Sequence, residues 1–285
     1  MKVRGRETAA IAVVHLARAA NGAEPLRRFI TSYLEHPAGC AHDLVLLCKG
    51  FRERQLPPAI LTVVEQVPHK VLHVTDRGVD LDAYIMAARL LPHEYVCFVN
   101  SYSRILADDW LGKLHAAIEE PGVGLAGTSG SAETMAPSRN GDGARRWRDR
   151  IVDALLARPW RLSRDFPVFP NYAIRTNGFI IRRTLFTEIA PRRIGSKRRA
   201  YRFESGRAGL TRAVQSRGLE VRMVGLSGSF PTQRWAGTGG FRQGRQSDLL
   251  IADNQTDRFA VADQATRELL AQLAWGDSSL AGVDE

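Results

Sequence analysis

The chain has 285 residues, 44% of them hydrophobic and 25% charged, which is enough apolar side chain for a substantial core and too much for a disordered chain. Its 40 Lys and Arg against 30 Asp and Glu leave a formal net charge of +10, which favours an acidic partner: a diphosphate, a nucleic acid or an anionic membrane surface. No RNP-like aromatic motif, zinc finger or basic zipper accompanies that charge, so nucleic acid is not the expected partner, and no apolar run reaches the length of a membrane span.

Residues 9–16 (AAIAVVHL) are a short β-branched run suited to a strand buried on both faces. The basic and apolar N-terminus superficially resembles a leader, but His15 and Arg18 interrupt it, and a buried strand is the expectation. Asn21-Gly22 breaks the run, and Pro25 sits where the first turn of a helix tolerates it. Leu26, Phe29, Ile30, Tyr33 and Leu34 then follow helical spacing up to His36-Pro37. The alternation continues with a strand at 44–48, a helix from Pro57 to Val67, a strand at 71–74 and a helical face of Leu81, Tyr84, Ile85 and Ala88. Tyr95–Val99 is the next strand, a helix opens near Asp108, and 124–126 is a short fifth strand. Repeated β-α-β units with short connections predict an α/β fold: a mainly parallel central sheet with helices on both faces. Ligands of such sheets bind beyond the carboxyl ends of the strands.

Regularity fails between Gly127 and Pro170. Thr128 to Gly143 is rich in Gly, Ser and Asn, and Arg145 to Arg164 spaces Trp147, Ile151, Leu155, Leu156 and Trp160 along one face of a basic amphipathic helix. That helix would either pack on the sheet or lie at a membrane surface. Beyond it, a strand is expected at 178–181, a helix at 211–217, a strand at 221–224 and a C-terminal helix from about Val261 to Trp275. Without a Pro- or Ser-rich linker, residues 1–285 are read as a single domain: 9–126 one half, 127–170 a variable, partly mobile basic segment, and 171–285 the second half with the C-terminal helix. Cys40, Cys48 and Cys97 lack paired spacing and read as small apolar residues of a chain in a reducing cytosol.

The most informative stretch is Asp76-Arg77-Gly78, a helix, the apolar strand Tyr95–Val99, Asn100-Ser101-Tyr102-Ser103, and then Asp109-Trp110-Leu111. In order and spacing it resembles family-2 glycosyltransferases of the GT-A fold, whose pattern is an Asp near a Gly, a helix, and a hydrophobic strand ending in D-x-D. The resemblance covers roughly residues 9–126 well and 170–235 loosely. It implies a GT-A-like, Rossmann-like fold and transfer of a sugar from a nucleotide-diphosphate sugar to a glycan or glycolipid acceptor, with inversion at the sugar carbon. The family's two carboxylates hold a divalent cation that bridges the diphosphate. Here Asn100, Ser101 and Tyr102 replace them, so no metal and no other cofactor is expected to be held there, and arginines would carry the balancing charge.

By position, the resemblance makes Glu204 the catalytic base, in Phe203-Glu204-Ser205-Gly206, where the family carries an acidic pair. It places His15, Lys49, Asp76, Gly78, Asn100, Ser101 and Tyr102 around the nucleotide and donor sugar. Gln233-Arg234-Trp235 resembles the tail of a Gln-x-x-Arg-Trp motif of processive members, compressed by two residues. That offers Arg234, Trp235 and Arg242 for the diphosphate or acceptor. A non-catalytic nucleotide-sugar or glycan-binding protein on the same scaffold is the alternative. A nucleotidyltransferase fits less well, because His15 to Gly22 contains one Gly and no phosphate loop. The expected location is the cytoplasm, with peripheral contact at the inner, anionic membrane face.

Overall fold

A computed structural model describes residues 9–52, 55–136 and 163–276. Nearly all of the expected amphipathic helix, and the Gly/Ser/Asn-rich stretch beyond Ala136, lie outside the described residues. The first half alternates as the sequence predicts: β1 (Ile11–Arg18), α1 (Glu24–Glu35), β2 (His42–Lys49), α2 (Pro58–Val64), β3 (Lys70–Val74), α3 (Asp80–Leu90) and β4 (Tyr95–Val99). Then come β5 (Arg104–Ile105), α4 (Trp110–Glu119), β6 (Val123–Gly127) and β7 (Gly130–Ser131). The second half holds β8 (Ala173–Ile174), β9 (Gly178–Arg182), α5 (Arg183–Ile189), α6 (Lys197–Ser205), α7 (Leu210–Gln215), β10 (Glu220–Gly225), β11 (Gly228–Pro231), β12 (Ile251–Ala252), α8 (Asn254–Ala260) and α9 (Gln264–Trp275).

The central sheet has the order β11-β10-β6-β9-β4-β1-β2-β3. Its pairings β1–β2, β1–β4, β2–β3 and β6–β10 are parallel. β9 runs antiparallel between β4 and β6, and β11 closes the far edge as a hairpin with β10. The fold is therefore α/β with a large, mainly parallel sheet. Because β9 is reversed, its first residue lies level with the last residue of β4, with Val99 opposite Gly178. That reversal brings residues 175–177 to the carboxyl edge of the sheet.

Strand alternation separates two apolar layers. Val14, Leu16, Val96, Phe98 and Phe179 pack on one face with Phe186 and Tyr84, while Val13, Cys97 and Val99 pack on the other with Phe29, Trp110 and Leu114. Of the three cysteines, all unpaired, Cys48 and Cys97 are buried, and burial pushes the Cys48 thiol up to about 12. Gly78, two residues before α3, has φ +79, and a Cβ there would stand 2.2 Å from Asp82 Oδ2, so the turn requires glycine. The Asp82 carboxylate accepts the Val79, Ile194 and Gly195 amides, tying α3 to the loop before α6. The single C-terminal helix expected from Val261 starts instead at Gln264, where Asp263 accepts the Thr266 amide, and the separate α8 precedes it. Among the described residues no helix is long and apolar enough to cross a membrane.

His15 belongs to this core and not to the ligand edge, a correction to the sequence expectation. It is fully buried and stacks on Phe29, ring centroids 3.9 Å apart at 7°, and neither ring nitrogen has a hydrogen-bond partner. Along β1 it shares a face with Ile11, Val13 and Ala17, the face covered by α1. Burial pushes its pKa down to about 3, so the folded chain holds it neutral while the unfolded chain protonates near 6.5. Its contribution to stability is complete above pH 6.5 and is lost as pH falls from 6.5 towards 3, by up to roughly 4 kcal/mol. Urea midpoints measured from pH 7 to pH 4 should fall more steeply for the wild type than for His15→Leu. Parallel curves would refute this assignment.

Candidate functional site

Two cations end the first two strands. Arg18 and Lys49 are register partners on β1 and β2. The Lys49 side chain is only 2% exposed, and its Nζ donates to the Gly78 carbonyl at 3.0 Å and to Asp80 Oδ1 at 3.2 Å. Arg18 Nε lies 3.5 Å from the same Asp80 oxygen. Lys49 thus holds the Gly78 turn and the first residue of α3 and is not presented to solvent. Asp76 is exposed on the neighbouring loop, and a Cβ on Gly50 would stand 3.1 Å from its Cγ. Asp76 therefore stands exposed beside the Gly50 turn that follows β2.

The turn after β4 is self-contained. Asn100 Oδ1 accepts the Tyr102 amide at 2.9 Å and the Ser103 hydroxyl at 3.2 Å. The Asn177 carbonyl, just before β9, accepts the Asn100 amide at 3.0 Å and Ser103 Oγ at 3.1 Å. Ser101 is buried and Tyr102 exposed. The divalent cation that the sequence resemblance brings to mind would need charged oxygens here, but the Asn100 oxygen already serves two donors of its own turn and its neighbours are neutral hydroxyls. These residues do not fit such an ion. Among the described residues no three His, Cys, Asp or Glu side chains gather as ligands elsewhere.

Glu204, in the last turn of α6, reaches the same edge. Its Oε1 accepts the Thr176 hydroxyl at 2.6 Å. Burial raises its pKa above the ordinary value, the Thr176 bond and the charge of Arg175 oppose that rise, and Asp80 adds to it. The charges of Asp80 and Arg175 therefore both act on Glu204. The guanidinium of Arg175 donates to Asp253 Oδ2 at 3.1 Å and lies over the Phe241 ring with Cζ 3.8 Å from its centroid. Neither Arg175 nor Asn177 was selected by sequence reasoning. Residues preceding a parallel strand would sit at the opposite edge, so only the reversal of β9 makes these two part of the site.

The three residues proposed for the diphosphate or acceptor do not form an open platform. Trp235 is wholly buried, its indole N–H donating to the Phe230 carbonyl at 3.0 Å, with Tyr172 edge-on at 5.9 Å. Arg234 is exposed and lies over Phe230 at 5.5 Å. Arg242 is buried with a left-handed backbone (φ 53), bonds Gln255 Oε1 at 3.2 Å and lies 3.7 Å from Glu133 Oε1. Trp235 and Arg242 hold the loop after β11 against the body. Asp253 is likewise structural: it caps α8 by accepting the Gln255 and Thr256 amides.

No protein-family model matches the chain, and no curated protein matches it. Among solved structures, the mannosyltransferase PcManGT from Pyrobaculum calidifontis, in complex with GDP-Man and Mn2+, is similar at a TM-score of 0.48 and 14% identity over 82% of this chain and 59% of that one. S. aureus TarS is similar at 0.39 and 15% identity over 66% of this chain and 32% of that one. TarS 1-349 gives 0.38 and 15% over 67% and 53%. The chain spans less than two thirds of each of these proteins.

Proposed function

We propose that the chain is a GT-A-type glycosyltransferase that moves a sugar from a nucleotide-diphosphate sugar to a glycan or glycolipid acceptor. The observation that carries this reading is Glu204, a carboxylate of raised proton affinity at the carboxyl edge of the sheet, bonded by Thr176 and acted on by the charges of Asp80 and Arg175. Asp76 and the Asn100–Ser103 turn position the donor. Glu204 takes the proton of the acceptor hydroxyl as its oxygen attacks the anomeric carbon and the bond to the diphosphate breaks, which inverts that carbon. No carboxylate-held metal takes part. The enzyme acts in the cytoplasm, its basic surface against the anionic inner face of the membrane.

The second reading, a non-catalytic binding protein on the same scaffold, is favoured by Lys49 and Arg242, which spend their charge inside the protein. A thermal-shift panel of UDP-, GDP-, CMP- and dTDP-sugars, each with EDTA or Mn2+, separates the two. A ligand at 100 times its dissociation constant stabilises by roughly 2.7 kcal/mol, a rise of about 5 °C or more in Tm for a chain of this size. One donor should give that rise in EDTA and then be turned over when acceptor is supplied. Stabilisation without turnover establishes the binding protein, strict need for Mn2+ sinks the metal-free mechanism, and silence from every donor sinks the enzyme and leaves only a glycan-binding protein.

A further inference from the structure

The carboxyl edge contains a knot of donors that the protein itself leaves without acceptors. Ser101 Oγ, Asn177 Nδ2 and Arg175 Nη1 are each enclosed, and none has a hydrogen-bond partner. Ser101 and Asn177 are 5% and 3% exposed, so these are not surface groups waiting for bulk water. An enclosed donor without an acceptor is destabilising and rare in native proteins, and three on segments bonded to one another ask for a common explanation. Short bonds tie them together. Asn177 braces the turn that holds Ser101 by accepting the Asn100 amide and the Ser103 hydroxyl. The Ser129 hydroxyl fixes the Asn177 side chain through Oδ1 at 2.7 Å, and the Ser129 carbonyl accepts the Arg175 amide at 3.0 Å.

Arg175 is preorganised for this position. Asp253, itself 1% exposed, holds one guanidinium nitrogen and the Phe241 ring lies against its face, while the side chain keeps 19% of its surface open. What such a group lacks is an anion with several acceptor oxygens.

We propose that Arg175, Asn177 and Ser101 form the subsite for the diphosphate of the donor, supplying with one guanidinium and two neutral donors the stabilisation that a carboxylate-held metal gives in other GT-A enzymes. This rests on the glycosyltransferase reading and names the residues that carry its leaving-group charge. Enclosed as they are, the donors come into use as the turn opens to ligand, so binding and local rearrangement are coupled.

The test is titration calorimetry in EDTA with nucleoside diphosphates and, in parallel, with the matching uncharged nucleosides. Arg175→Gln should weaken the nucleoside diphosphate by roughly 10- to 100-fold, and Arg175→Lys by less, with the nucleoside unchanged. Ser101→Ala removes an orphan hydroxyl, so it should fold at least as stably as the wild type yet bind the diphosphate roughly threefold to tenfold more weakly. It keeps the test decisive even where Arg175→Gln folds poorly. Wild-type binding that Ser101→Ala and Arg175→Lys leave untouched overturns the subsite, as does diphosphate binding that appears only with Mn2+. A wild type that binds no nucleoside diphosphate under any condition removes the glycosyltransferase reading itself, a separate outcome.

Discussion

Glu204→Gln is expected to lower kcat for sugar transfer by roughly 10²- to 10⁴-fold, the range a positioned general base supplies. The amide keeps the size of the side chain and an oxygen able to accept the Thr176 hydroxyl, so the local bonding survives. What it loses is the ability to take a proton. The folded chain binds a proton at Glu204 more readily than the unfolded chain, so ionised Glu204 destabilises the fold, an effect that begins as pH rises past the ordinary glutamate value and is complete once pH has passed the raised pKa. The variant should therefore equal or exceed the wild type in thermal stability at pH 7, which separates loss of chemistry from loss of structure. For the same reason the acid limb of the wild-type rate profile should lie at higher pH than an unperturbed glutamate would give. Asp80→Asn removes a charge that raises the Glu204 pKa and should move that limb to lower pH. Activity retained in Glu204→Gln would transfer the role of base elsewhere, with the half-exposed Asp80 as the first alternative.

The first half of this fold was legible because each of its elements carries its own local signal. Tyr95–Val99 coincides with the expected strand, and β1 to β3 and α1 begin or end within three residues of expectation. These are continuous apolar runs or clear helical faces punctuated by Gly and Pro, so pattern alone sufficed. Direction is different. Gly178–Arg182 reads as a strand in either orientation, and only its pairing with β4 and β6 shows that it is reversed. The three residues before it were therefore passed over, although Arg175 and Asn177 are the residues on which the proposed subsite rests. His15 failed for the opposite reason. Its position near the end of β1 suggested the ligand edge, whereas counting alternate residues from Ile11 would have turned it towards α1. The two-residue strands β5, β7, β8 and β12 have no pattern to read, and tertiary contact alone defines them. Asp253-Asn254-Gln255-Thr256 was legible as a capping sequence, an Asp at the N-cap with a Thr three residues on.

That aspartate carries the second large effect. Asp253→Ala should destabilise the fold by about 3–5 kcal/mol, the range for breaking a buried ion pair on one side. The carboxylate is 1% exposed and makes three bonds: to the Gln255 amide at 2.9 Å, the Thr256 amide at 3.0 Å and Arg175 at 3.1 Å. Removing it takes the cap from α8 and strands a largely buried guanidinium against Phe241. Asp253→Asn keeps a good capping oxygen and gives up the charge, so its loss should be intermediate, and the difference between the two variants reports the cap alone, about 1 kcal/mol. Urea unfolding of both, together with Arg175→Gln and the double variant, forms a cycle in which the two sites should couple by 1 kcal/mol or more. Additive losses would mean that Arg175 and Asp253 stabilise the chain independently. In that case the guanidinium would be positioned by Phe241 alone, and the link from α8 through Arg175 to the turn after β4 would not exist as a mechanical unit.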